Sequence, residues 1–130
     1  MQSSKDLSNY RLEKAKSTLE SAKALLKLGQ YPDAVSSSYF CVFHSMRAVL
    51  ALENVDFKKH SSVISYFREH YIKTKKLETK LSDIIKVLFT IRSESDYVDF
   101  FVISKNEVEQ QVESAKYFLE QIQKFISNIK

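Results

Sequence analysis

The chain has 130 residues, of which 44% are hydrophobic and 28% charged, with a net charge of +4. One domain spanning residues 1–130 accounts for that length, and a single Gly and a single Pro exclude a fold rich in sheets and turns. One Cys excludes an internal disulfide framework, and the mild positive charge permits an anionic partner without requiring one.

The first residues, MQSSKDLSNY, lack the apolar core of a targeting signal, so a cytoplasmic protein is expected, with residues 1–6 frayed. From Leu7 to about Leu28 the apolar positions Leu12, Ala15, Leu19, Ala22, Leu25 and Leu26 recur at helical spacing. Gly29 supplies a helix stop and Pro32 a helix start. The short link predicts that the first two helices are antiparallel neighbours.

The second helix, ending near Glu53, contains the most apolar stretch of the chain, Ser36 to Leu52. Its strictly apolar run is too short for a membrane span, so a central helix covered on most sides is expected, and no membrane partner. Tyr39, Val42, Phe43, Met46, Val49 and Leu50 define its broad apolar face. Ser37, Phe40, His44, Arg47 and Ala51 define a narrower side. Cys41 is expected to be buried, and Ser36, Ser37 and Ser38 to lie near a capped helix start.

Asn54 to Lys59 reads as a loop. A short helix from Ser62 to Ile72 turns Val63, Ile64, Phe67 and Tyr71 inward, and Lys73 to Lys76 form a connector. The fourth helix, Leu77 to Arg92, places Leu81, Ile84, Ile85, Leu88 and Phe89 inward, and Ser93 to Ile103 break the period. Ser104 and Glu107 form a capping box for a last helix to about Asn128, buried through Val108, Val112, Ala115, Phe118, Leu119, Ile122, Phe125 and Ile126. The expected fold is all-α: an antiparallel up-and-down helical bundle of four long helices plus one short helix.

Arg92 is the main physical anomaly, because its position continues the apolar face of helix four. A guanidinium keeps its charge and needs a partner or a wet cleft. Asp96 and Tyr97 are the nearest candidates. Two readings follow: an Arg92–Asp96 clamp at the bundle end, or a phosphate-binding guanidinium held by Asp96. His44 and Arg47, at i and i+3, form a second pair. His44 is either a satisfied core residue or a proton carrier in a cleft shared with Arg92. His60, after Lys58 and Lys59, reads as a helix-start residue, and His70 as surface. Three separated His and one Cys show no ligand spacing, so neither metal nor cofactor is expected. Basic residues concentrate mid-chain at Lys58, Lys59, Arg68, Lys73, Lys75, Lys76 and Lys80, a pattern of a solvated face or an RNA track.

Tyr31-Pro-Asp-Ala34, Ser38-Tyr39-Phe40, Phe43-His44 with Arg47-Ala48, Lys59-His60-Ser61 and Arg92-Ser-Glu-Ser-Asp96-Tyr97 with Asp99-Phe100 together resemble the HEPN domain family. The resemblance is to its small stand-alone members with an Arg-x-x-x-Asp-Tyr signature, and it covers almost the whole chain. It implies a helical bundle that often dimerises, and relatives encoded beside a minimal nucleotidyltransferase as toxin–antitoxin or related pairs. Active toxins of this family are metal-independent endoribonucleases. They pair an Arg with a His a few residues later, across a dimer interface. The Arg steadies the phosphate and the His moves the proton as the RNA 2′-hydroxyl attacks.

Arg92 matches the Arg of that pair, but Asp96, Tyr97, Val98 and Asp99 stand where the His is sought. Tyr97, with an ordinary pKa of about 10, is a poor base near neutrality. The expected function is therefore a nucleotide- or RNA-binding partner of a nucleotidyltransferase, acting as a homodimer. Its site would draw on Arg92, Asp96, Tyr97, His44 and Arg47. One alternative is a ribonuclease that uses Arg92, Tyr97 and His44; the other is a purely structural bundle.

Overall fold

A computed structural model describes residues 3–129. The first helix, α1 (Ser4–Lys27), opens on a capping box: the Asp6 N–H donates to the Ser3 hydroxyl at 3.1 Å, and the Ser3 N–H donates to the Asp6 carboxylate at 3.3 Å. This box satisfies the first free amides, so the helix begins within the segment expected to fray; residues 1 and 2 lie outside the described residues. Gly29 stops α1 at φ +74°. Its N–H donates to the Leu26 carbonyl and that of Gln30 to the Leu25 carbonyl, the double bond of a Schellman cap.

The second helix, α2 (Tyr31–Leu52), carries Pro32 in its first turn. It stops the same way at Asn54, φ +58°, with the Asn54 N–H on the Ala51 carbonyl and the Val55 N–H on the Leu50 carbonyl. α3 (His60–Phe67) runs directly into a π-helical turn, Arg68–Ile72. α4 (Thr79–Tyr97) and α5 (Lys105–Asn128) complete the bundle, and the Ser104–Glu107 capping box opens α5 as expected. The described residues include no strand.

α2 lies at the centre and packs against α1, α3, α4 and α5. Its expected apolar face, Tyr39, Val42, Phe43, Met46, Val49 and Leu50, is buried, as are Cys41 and Ala51. By length and hydropathy α2 passes for a membrane span, yet 67% of that window is buried inside the protein. It is apolar on most sides because other helices surround it on most sides. Phe67, Phe118, Leu81, Ile85, Leu88 and Ile122 fill the space around it, each contributing about 1.5–3 kcal/mol by leaving water.

Several expectations need correction. α4 continues five residues past Arg92, to Tyr97, so the expected break of Ser93 to Ile103 starts only at Val98. Phe89 is 39% exposed, because its position lies at the edge of the buried face, beside Tyr39 at 6.0 Å between ring centroids. Ser38 lies within α2, where its hydroxyl donates back to the Ala34 carbonyl at 2.9 Å; the cap position is Gln30, which makes no side-chain capping bond.

Candidate functional site

Arg92 follows Leu88 by one turn on the buried side of α4. Its guanidinium carbon lies 4.9 Å from the centroid of Tyr39 and 4.8 Å from that of Phe40. Two ring faces therefore offset part of what burial costs the cation. The Arg92 Nε lies 3.5 Å from the Asp96 carboxylate, an ion pair without a hydrogen bond, and this buried nitrogen has no hydrogen-bond partner among the described residues. Since α4 is still helical here, Asp96 sits one turn from Arg92 at i+4. The Arg92 side chain is 26% exposed and that of Asp96 40%, so the pair opens to solvent. Tyr97, at 85% exposure, points away from the core.

His60, the first residue of α3, reaches the same rings. Its Nδ1 is 3.0 Å from the Tyr39 hydroxyl, and its ring stacks on Phe43 at 4.0 Å and 26°. It also lies 5.8 Å from Phe40, edge to face. Arg92 and His60 thus converge on Tyr39 and Phe40 from α4 and α3. Burial, then the charges of Arg92 and Arg47, hold the His60 pKa below its ordinary value, which favours neutral imidazole near pH 7. Burial raises the Tyr39 pKa to about 12, against an opposing pull from Arg92, so the hydroxyl keeps its proton. Two tautomers satisfy the Tyr39–His60 contact. If Tyr39 donates, Nε2 carries the imidazole proton and can donate to an anion. If Tyr39 accepts, Nε2 is a free base.

Beside His60 opens a cleft of about 390 Å³, lined by Phe43, Arg47, Asp56, Phe57, Lys58 and His60. Asp56 holds its inner wall. It accepts from Arg47 Nη2 at 2.9 Å and from Arg11 Nη2 at 3.0 Å, and its other oxygen accepts the Phe57 N–H at 2.9 Å. Burial alone would raise the Asp56 pKa, but the bonds from Arg47 and the Phe57 amide and the two positive charges bring it below the ordinary value. Arg11 also donates to the Arg47 carbonyl at 3.0 Å. Two guanidinium groups on one carboxylate leave a positive excess on this wall.

The sequence-predicted residues divide accordingly. Arg92 and Asp96 form an ion pair. Arg47 is committed to Asp56 and borders the cleft. His44 is half-buried beside Phe40 and Phe43, and its Nδ1 has no partner among the described residues. Burial and the charges of Lys14, Arg47, Arg11 and His60 depress its pKa to about 4. His44 shares one ring with Arg92, Phe40 at 6.0 Å, whereas His60 reaches both Tyr39 and Phe40. Sequence reasoning placed His60 at a helix start and missed this role. Tyr39 and His60 are 21 positions apart, and local periodicity carries no signal of such a contact. Arg11 and Asp56 were missed for the same reason. Among the described residues no cluster of His, Cys, Asp and Glu has the makings of a metal site.

Fold and site together define a helical bundle that gathers an arginine and an imidazole around two aromatic rings at a solvent-open edge. Residues 8–125 match the HEPN domain family, and the chain belongs to that family. It is 30% identical to a Thermotoga maritima protein named "UPF0332 protein", over 93% of this chain and 92% of that one. Two Methanocaldococcus jannaschii relatives are named "Putative toxin". One is 31% identical over 88% of this chain and 78% of its own length; the other is 30% identical over 91% and 87%.

Proposed function

We propose that this protein is the toxin-type member of a two-component pair and that its site engages RNA through the phosphate backbone. Arg92 contacts the phosphate, with Asp96 holding it at the end of α4, and His60 supplies the imidazole. The observation that carries this reading is the convergence of Arg92 and His60 on Tyr39 and Phe40. A neutral imidazole beside a fixed guanidinium suits a phosphodiester, because one group moves a proton while the other steadies negative charge. The "Putative toxin" names of two relatives support the toxin-type part of the reading. The partner is a nucleotidyltransferase-type protein, and the working unit is a homodimer in the cytoplasm.

The decisive experiment pairs RNA binding with RNA cleavage. Wild type is expected to bind single-stranded RNA, and Arg92→Ala to weaken binding at least tenfold while its thermal melt stays cooperative. If cleavage occurs, its products carry 2′,3′-cyclic phosphate ends, and His60→Ala abolishes it while His44→Ala does not. A protein that binds no RNA, or an Arg92→Ala variant that binds as wild type, overturns the reading. Co-expression with candidate nucleotidyltransferases and pull-down through a tag on this chain tests the pairing.

A further inference from the structure

Two clefts meet at one ring. Phe57, 38% exposed, walls the cleft beside His60 and also borders a second, shallow and widely open one of about 460 Å³, with Ser61, Tyr66, Glu69 and His70. In the first, the stacked Phe43–His60 pair gives a flat aromatic side, with Arg47 and Lys58 as cations. In the second, Tyr66 stacks on His70 at 4.0 Å and 27°, and Phe57 stands 5.7 Å from Tyr66. The Tyr66 hydroxyl donates to Glu53 at 2.9 Å, which fixes that ring. Of the carboxylates nearby, Asp56 is paired by Arg11 and Arg47 and Glu69 by Lys73 at 3.4 Å, while Glu53 is held, among the described residues, by the Tyr66 and Tyr71 hydroxyls alone.

The first cleft sets rings beside cations, and the second supplies the rings of Phe57, Tyr66 and His70 without a lysine or arginine among the described residues; exposed rings suit single-stranded nucleic acid, whose bases offer open faces for stacking. A duplex keeps those faces hidden. A mononucleotide would occupy one cleft, whereas two clefts sharing one aromatic wall match two bases in succession. We propose that the clefts on either side of Phe57 bind two successive bases of single-stranded RNA, with Phe57 between them. This inference rests on the reading of Arg92 and His60 as the phosphate site and extends that site along the strand.

The test is fluorescence anisotropy with a short labelled oligouridylate, titrated at several salt concentrations. Phe57→Leu keeps an apolar side chain but removes the ring, and is expected to weaken binding about tenfold. The slope of log affinity against log salt should stay as in wild type, because no phosphate contact is lost. Phe57→Tyr should restore binding. Lys58→Ala should lower the slope by about one contact's worth, and UMP should compete far more weakly than the oligonucleotide. Wild-type affinity in Phe57→Leu, or equal competition by UMP, overturns the two-base platform. If Phe57→Leu binds normally while Arg92→Ala does not, the platform alone falls; if the wild type binds no oligonucleotide, both readings fall.

Discussion

At the residue scale, the polar groups inside this bundle are set by who faces whom. Arg11 and Arg47 share Asp56, Arg92 rests on two rings, and His44 is left with burial and positive neighbours. That surrounding predicts how His44 links stability to pH. Its folded pKa of about 4 lies below the ordinary unfolded value of about 6.5. Between these values the unfolded chain binds more protons, so stability rises with pH across this window and falls on acidification. His60 is shifted in the same direction and adds to the slope. His44→Leu is expected to flatten the plot of unfolding free energy against pH between about 6.5 and 4, leaving the part due to His60. Urea titrations at stepped pH measure it. An unchanged slope would mean that His44 titrates in the folded protein much as it does in the unfolded chain.

At the element scale, two helix stops depend on left-handed residues. Gly29 takes φ +74° at the end of α1, and a Cβ built there meets nothing within 4 Å. The cost of Gly29→Ala is therefore conformational, about 1–2 kcal/mol. Gly29→Asn should cost less, because Asn tolerates this region and already occupies it at Asn54, which ends α2. Chemical denaturation ranks the three proteins, and equal stability for all would remove Gly29 from the account of the α1–α2 corner. These elements were legible in the sequence because helical periodicity and capping residues act locally. The end of α4 was not. Ser93, Glu94, Ser95 and Asp96 are polar enough to read as a break, but Asp96 lies one turn beyond Arg92 and pairs with it, which extends the helix to Tyr97. Half of the candidate site was legible for the same reason. Arg92 stood out as a charge on an apolar face and Asp96 as its nearest partner, while His60 entered only through contacts made by folding.

At the scale of the whole molecule, the link between α4 and α5 leaves an apolar rim uncovered. Phe100 is 99% exposed, Val102 87%, Tyr97 85% and Val98 52%. Phe100 also adopts φ +57°, a costly conformation for a bulky residue. Contiguous exposed apolar groups of this kind mark association surfaces, and this rim adjoins the Arg92–Asp96 pair. A second copy docked here by a two-fold axis would meet the same rim and shelter the open edge of both sites. Sedimentation or light scattering across a concentration series is expected to show a monomer–dimer equilibrium. Phe100→Glu combined with Val102→Glu should shift it to monomer. Because neither side chain supports the core, unfolding of the monomer should move by no more than about 0.5 kcal/mol. RNA affinity then separates two architectures. If each site is complete within one chain, the monomeric variant binds as wild type; if the site is completed by the second copy, affinity falls along with the dimer. A wild type that stays monomeric at high concentration, or a double variant that still dimerises, rules out this rim as the interface.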